Sequence, residues 1–184
     1  MDIPHLKAEM RKRAMAARDA LPPAARAAAA EALLRWMEAA DFRELLPAPG
    51  STIAGYLAIR SEIDPIPLMQ HFQRQGYRLA LPRITPDGLA FHLWQQEGAL
   101  APGPFNTLEP PSHWPMAHPD LFLVPLLAFD TEGHRLGYGR AYYDRAFAAF
   151  PAAKRIGLAF ALQEVPKVPI EPHDARLDLV LTET

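Results

Sequence analysis

The chain has 184 residues, of which 49% are hydrophobic, so it can bury a sizeable core without metals or disulfides. Its formal net charge of -2 offers no broad basic surface for nucleic acid, and its lack of cysteine excludes disulfides, thiol nucleophiles and cysteine-ligated zinc or iron–sulfur sites. No apolar stretch is long enough to span a bilayer, and the charged beginning of the chain is unlike a secretory signal. We therefore expect one domain over residues 1–184, in a monomeric cytoplasmic protein that binds neither nucleic acid nor membrane.

The amino-terminal part of the chain predicts a pair of helices, at 4–20 and 23–40, because it is rich in Ala, Leu, Arg and Glu and is divided by two prolines. An apolar strand is predicted next, at 51–59. Asp64 then precedes a proline in the order of a helix cap and a first-turn proline, which predicts a helix at 65–76.

Strands dominate the rest of the chain. A hairpin is predicted from strands at 77–84 and 89–94, joined by a Pro-Asp-Gly turn, and the proline-rich stretch 95–119 is expected to be a long functional loop. The later apolar runs predict three further strands, at 121–130, 155–160 and 177–183. Such alternation implies an α/β fold: a mostly parallel sheet flanked by helices on both faces, Rossmann-like and three-layered, with an amino-terminal helical pair and a site at the strands' carboxyl ends.

The segment that follows the run 121–130 and continues into the next helix, which is predicted to begin after Gly139, carries three glycines and three arginines, namely Gly133, Gly137, Gly139, Arg135, Arg140 and Arg145. Glycine lets the backbone turn tightly and approach a ligand, and arginine supplies positive charge. Free backbone N–H groups and the helix dipole favour phosphate at such a strand-to-helix loop. The loop is therefore predicted to bind an anion, although it has neither a GKS or GKT ending nor GxGxxG spacing.

The string from Phe129 to Arg145 resembles the signature of the 5-formyltetrahydrofolate cyclo-ligase family, also called 5,10-methenyltetrahydrofolate synthetases, which reads approximately FDxxGxRLGxGxGYYDR. Two residues depart from it: Arg140 stands where the family usually has Gly or Lys, and Ala141 where it usually has Gly. The methyl group of Ala141 is expected to narrow the approach of the backbone to a ligand. The resemblance covers essentially the whole chain.

The resemblance implies an ATP site. Lys7 and Arg11 are four apart on a predicted helix; from the residues alone they form a solvated basic face, whereas family residues at this spacing contact the ATP phosphates. Lys12, Arg13 and Arg18 have no such support and are expected to be surface charges. In the loop, the implied ATP-binding residues are Arg135, Leu136, Gly137, Tyr138, Gly139, Arg140, Ala141, Tyr142, Tyr143 and Arg145.

The resemblance also implies a folate site formed by Leu57, Glu62, Phe105, Tyr138 and Tyr142. A carboxylate such as that of Glu62 suits the amino and ring N–H donors of a pterin, although Glu62 taken alone is typical of a turn. Phe105 would either cover the pterin or anchor the long loop on the core.

Magnesium is the implied cofactor, held by Asp144 and Asp178 beside the nucleotide. Taken alone, Asp144 could form a surface ion pair with Arg145, and Asp178 could be a strand-end turn residue. His173 and Asp174 match the family too and are expected to give structural support.

The implied reaction converts 5-formyltetrahydrofolate to 5,10-methenyltetrahydrofolate: ATP phosphorylates the formyl oxygen, the nitrogen at position 10 attacks, and phosphate leaves. Arg140 is the candidate catalytic residue, which would stabilise charge on the transferring phosphoryl group. Two alternatives stay open: a folate- or nucleotide-binding module without catalysis, prompted by Ala141, and a sugar-phosphate isomerase-like enzyme with a similar sheet and anion loop.

Overall fold

The computed structural model describes residues 2–184 and, at Ala40 and Asp41, the backbone alone. Its helices are α1 (Ile3–Asp19), α2 (Pro23–Ala32), α3 (Ala40–Leu45), α4 (Ile66–Arg74) and α5 (Tyr142–Ala149), with short 3-10 helices at Leu33–Glu38, Pro104–Asn106 and Ala161–Gln163. Its strands are β1 (Thr52–Ala54), β2 (Arg78–Thr85), β3 (Gly88–Leu93), β4 (Ala101–Pro102), β5 (Leu108–Glu109), β6 (Leu121–Pro125), β7 (Ala128–Phe129), β8 (Arg135–Leu136), β9 (Lys154–Leu158) and β10 (Leu179–Leu181). Across residues 2–184, no helix combines the length and the apolar character needed to cross a bilayer.

Six of these strands form one sheet in the order β10-β9-β6-β1-β2-β3. All neighbours are parallel except β2 and β3, which form the expected antiparallel hairpin with Thr85 opposite Gly88. The prediction of a mostly parallel sheet is therefore confirmed. Because parallel strands run in one direction, the carboxyl ends of β1, β2, β6, β9 and β10 meet at a single edge.

Side chains of β6 alternate between the two faces of the sheet, as the pleat requires. Leu121 and Leu123 join the core that includes apolar residues of α2 and α4, whereas Phe122 and Val124 join the core that includes residues of α5. Both faces of the sheet are thus covered by helices, and the three-layer arrangement expected from the alternation of elements is present.

Helix α1 packs against the rest of the protein largely through polar groups. Asp2 caps it by accepting a hydrogen bond from the His5 N–H. Its fully buried side chains are charged ones, Lys7 and Arg18, and only partly buried apolar residues such as Met10 join a small apolar cluster. Ion pairs and hydrogen bonds therefore decide where α1 lies.

Several predicted elements are shorter in the structure because an apolar run signals burial rather than extended backbone. The predicted strand 51–59 ends at Ala54, after which the chain leaves the sheet and runs along its carboxyl edge. The predicted strand 121–130 is β6 followed by the separate β7, which pairs with β8. The predicted helix 23–40 is α-helical only to Ala32.

The predicted helix after Asp64 is present, but it begins at Ile66 and has Pro65 rather than Asp64 at its N-cap position. Asp64 Oδ1 still accepts a hydrogen bond at 3.0 Å from the N–H of Ile66, as a capping side chain does. The helix ends at Arg74, close to the expected boundary.

Candidate active site

A cavity of about 550 Å³ lies at the carboxyl edge of the sheet. Its lining comes mainly from one face of α1, the segment 56–62 after β1, the long-loop segment 105–109, the glycine loop with the start of α5 (135–144), and the segment 171–174. All the residues that the sequence singled out for the site line this cavity except Arg145 and Asp178.

Lys7 lies at one end of the cavity. Its ammonium group donates to Glu171 Oε2 and to Asp174 Oδ2, both at 2.6 Å. Burial alone would lower the pKa of Lys7, but these two hydrogen bonds and the charges of their acceptors raise it. Lys7 is therefore a fixed cation rather than the solvated charge that its spacing alone suggested.

Arg11 follows one turn along α1 and holds the glycine loop. Its Nε donates to the Gly137 carbonyl at 2.9 Å. Gly139 has a φ of 90°, and a β-carbon there would lie 3.1 Å from Arg11 Cζ, so glycine is needed both for the turn and for the close approach. Ala141 also has positive φ, 52°, and is the residue before α5.

Arg135 and Asp144 form a part-buried ion pair in the same loop. Arg135 Nη2 donates to Asp144 Oδ1 at 2.8 Å, and Arg135 Nη1 donates to the Ala175 carbonyl at 2.6 Å. Asp144 Oδ1 also accepts from the Ala175 N–H at 3.2 Å. The pair thereby joins the glycine loop to the carboxyl-terminal segment.

Arg140 is exposed at the mouth of the cavity, where its Cζ lies 4.0 Å from the centroid of the Phe105 ring. Phe105 is itself 60% exposed and has a φ of 60°. Phe105 of the long loop thus covers Arg140 of the glycine loop instead of packing against the core. Arg145 lies over the ring of Tyr142 and next to Gly88, outside the cavity lining.

Glu62 lies at another part of the cavity among tyrosines and is only 7% exposed. Its Oε2 accepts from the Ile59 N–H at 2.9 Å. Burial raises the pKa of Glu62, and it raises the pKa of Tyr138 to about 12, with the Glu62 charge adding to that shift. Tyr143 also lines the cavity, and its pKa is raised by burial and by Glu62.

The expectation that Arg18 is a surface charge is wrong. Arg18 is 1% exposed, whereas Lys12 and Arg13 are exposed as predicted. The reason is helical spacing: Arg18 follows Arg11 by seven residues, close to two turns, and so lies on the face of α1 that covers the site. Composition treats Lys12, Arg13 and Arg18 alike, and only the heptad spacing from Arg11 could have distinguished Arg18 from the other two.

A group of potential metal ligands also lines the cavity. Glu171, His173 and Asp174 offer ligand atoms within 4.8 Å of one another, and Asp174 was expected only to give structural support. Asp178 instead precedes β10 at its amino end, where Oδ2 accepts from the Arg155 N–H at 2.8 Å outside the cavity lining. A residue before the amino end of a parallel strand lies away from the carboxyl edge, a signal that the sequence already contained.

The three-layer fold, with a deep cavity at the carboxyl edge that combines fixed cations with buried titratable side chains, defines an α/β enzyme. Residues 4–183 match the model of the 5-formyltetrahydrofolate cyclo-ligase family. The chain belongs to this family, as the signature loop had indicated.

Individual relatives are similar over most of their length. The chain is 32% identical over 189 residues to the 5-formyltetrahydrofolate cyclo-ligase of Mycolicibacterium smegmatis, which covers 97% of this chain and 94% of that protein. It is 32% identical over 140 residues to the enzyme of the same name from Escherichia coli K12, in an alignment that covers 71% of this chain and 77% of that protein. Its structure is similar to that of the 5,10-methenyltetrahydrofolate synthetase of Aquifex aeolicus, with a TM-score of 0.79 and 27% sequence identity. The superposition covers 97% of this chain and 90% of the other.

Proposed function

We propose that this protein uses ATP to convert 5-formyltetrahydrofolate to 5,10-methenyltetrahydrofolate, with release of ADP and phosphate. One observation carries the proposal: a single cavity combines a cationic part with a part where a buried carboxylate meets tyrosines. The names of the relatives supply the substrate, and the two parts of the cavity suit its two reactants.

The cationic part suits the phosphates of ATP. Lys7 and Arg11 lie one turn apart on α1, and Arg140 of the glycine loop lines the same cavity. Fixed positive charge and free backbone N–H groups stabilise phosphate oxygens as charge develops during transfer.

The other part of the cavity suits the pterin. A carboxylate accepts from amino and ring N–H donors, and Glu62 is the carboxylate that lies among aromatic residues. Tyr138, Tyr142 and Phe105 supply flat apolar surfaces against which a ring can pack.

The chemistry needs no protein nucleophile. The formyl oxygen attacks the γ-phosphorus as the bond to ADP breaks, which turns a poor leaving group into phosphate. The nitrogen at position 10 then attacks the formyl carbon and loses its proton, and departure of phosphate gives the closed ring. The protein's task is to bind, orient and neutralise charge, for which the cavity holds suitable residues.

Magnesium is expected at the carboxylates that pair with Lys7 and Arg135 in the same cavity. The oxygens of Asp144, Glu171 and Asp174 are the hard ligands that this ion prefers, and we propose these residues for it in place of Asp178. When bound, magnesium would neutralise charge on the phosphate oxygens.

The proposal is tested by the absorbance of 5,10-methenyltetrahydrofolate formed from 5-formyltetrahydrofolate, with and without ATP, and after chelation of divalent metal. Product is expected only when ATP and magnesium are both present. Turnover without ATP would support the isomerase-like alternative. Binding of both reactants without turnover would support the non-catalytic module.

A further inference from the structure

Arg18 is a buried cation next to the cavity but not in its lining. Its Nε donates to Ser61 Oγ at 3.1 Å, its Nη1 to the Leu126 carbonyl at 3.2 Å, and its Nη2 to the Tyr138 hydroxyl at 2.5 Å. One guanidinium therefore joins α1 to three other segments, each of which reaches the site. A lysine has no planar fork with which to hold three such partners at once.

The Ser61 and Tyr138 hydroxyls connect this buried cation to the surroundings of Glu62. Arginine has donors but no acceptor, so both hydroxyl oxygens must accept from Arg18. Ser61 is the residue before Glu62 in the chain, and Tyr138 lines the cavity together with Glu62. One guanidinium thus holds both the segment that carries Glu62 and an aromatic residue of the same cavity.

We propose that Arg18 is a positioning residue for the folate half of the site, acting through Ser61 and Tyr138 to fix the segment that carries Glu62 and the Tyr138 ring beside it. This inference rests on the proposed function. Tyr138 and Glu62 both line the cavity, whereas Arg18 lies behind them and cannot touch a ligand there. The Arg18 charge also opposes the burial that raises the pKa of Glu62, so it favours the ionised form that a pterin's N–H donors need.

The test compares Arg18→Lys with Arg13→Lys, the same change on the solvent face of α1. Arg18→Lys is expected to raise the KM for 5-formyltetrahydrofolate about tenfold, the effect of losing one charge-assisted hydrogen bond, while the KM for ATP changes by less than about twofold. Arg13→Lys should match the wild type in both. Equal increases in the two KM values would mean that Arg18 only holds the fold together, and would overturn the inference.

Tyr138→Phe completes the test, because it removes only the hydroxyl that accepts from Arg18. It should raise the folate KM to a similar degree, and the double variant should be no worse than the more impaired single variant. Additive losses would overturn the inference. If Arg18→Lys fails to fold, Tyr138→Phe decides alone, and an unchanged folate KM overturns the inference. Absence of wild-type turnover would overturn the proposed function and this inference with it.

Discussion

Lys7 and Asp174 are separated by 167 residues of chain, yet the Lys7 ammonium group donates to Asp174 Oδ2 at 2.6 Å. Glu171 accepts from the same ammonium group, so a buried cation lies between two acids where α1 meets the carboxyl-terminal segment. The charge state of each partner depends on the other: Lys7 counters the effect of burial and lowers the pKa of Asp174.

Lys7→Gln should raise the KM for ATP about tenfold and leave the folate KM nearly unchanged, because a phosphate contact is lost. It should also lower the free energy of unfolding by about 1–3 kcal/mol, since two carboxylates lose their shared donor. Steady-state kinetics and urea denaturation measure the two effects. Lys12→Gln, an exposed change on the same helix, is the control. An unchanged KM for ATP would remove Lys7 from the nucleotide site.

Glu62→Gln should weaken binding of the folate far more than binding of ATP, which isothermal titration calorimetry can measure for each ligand. The same change should stabilise the ligand-free protein at neutral pH. The pKa of Glu62 lies above its ordinary value of 4.5 in the folded protein, so its contribution to stability is greatest below the unfolded pKa and is lost as pH rises through the folded one.

The control for the predicted stabilisation by Glu62→Gln is its dependence on pH. The stability difference between Glu62→Gln and the wild type should shrink as the pH falls through the raised pKa of the folded state, and should level off below the ordinary value of 4.5, where the carboxyl group is protonated in both the folded and the unfolded state. A difference that does not vary with pH would show that burial of the charge is not its cause. Unchanged folate affinity would make Glu62 a turn residue after all.

Arg140→Ala should lower turnover by the equivalent of about 1.5–3 kcal/mol in activation free energy while the fold stays intact, because it removes one charge-assisted contact to the transferring phosphoryl group. The side chain is exposed and contacts the equally accessible Phe105 ring, so thermal denaturation should be nearly unchanged. Arg74→Ala, at an exposed position on α4, is the matched control. If Arg140→Ala has the kinetics of the wild type, Arg140 does not stabilise the transferring phosphoryl group, and Arg135, Lys7 or Arg11 must do so instead.

Ala141→Gly should stabilise the protein by about 0.5–1 kcal/mol, because Ala141 has a φ of 52° and left-handed backbone costs an alanine more than a glycine. Part of that gain is offset by the greater freedom of glycine in the unfolded chain. The affinity for ATP should stay equal or improve slightly, since the loop is already in this conformation. A loss of stability on urea denaturation would show that the alanine methyl makes a favourable contact that outweighs the strain.

Features of this fold that depend on local signals could be predicted from the sequence. The β2–β3 hairpin follows from two strand-forming runs around a Pro-Asp-Gly turn, and the helix after Asp64 follows from its cap and first-turn proline. The alternation of helices and strands along the sequence was sufficient to predict a mostly parallel sheet. Monomeric state and cytoplasmic location stay predictions.

Features that depend on tertiary packing were harder to predict. Heptad spacing could have placed Arg18 on the face of α1 that covers the site, but its three partners, Ser61, Leu126 and Tyr138, come from distant parts of the chain and depend on the fold. Asp174 lines the cavity, whereas Asp178 directly precedes β10 and lies outside the lining, because the few residues between them decide which carboxylate reaches the cavity.

The polar attachment of α1 also has a consequence for how the site is made during protein synthesis. The partners of its buried cations come from residue 61 onward, and those of Lys7 are Glu171 and Asp174. A chain emerges from the ribosome amino end first, so α1 is made long before these partners exist. The helix that carries the cations is therefore synthesised before every partner of those cations, and it cannot complete its attachment until the carboxyl-terminal segment has been made.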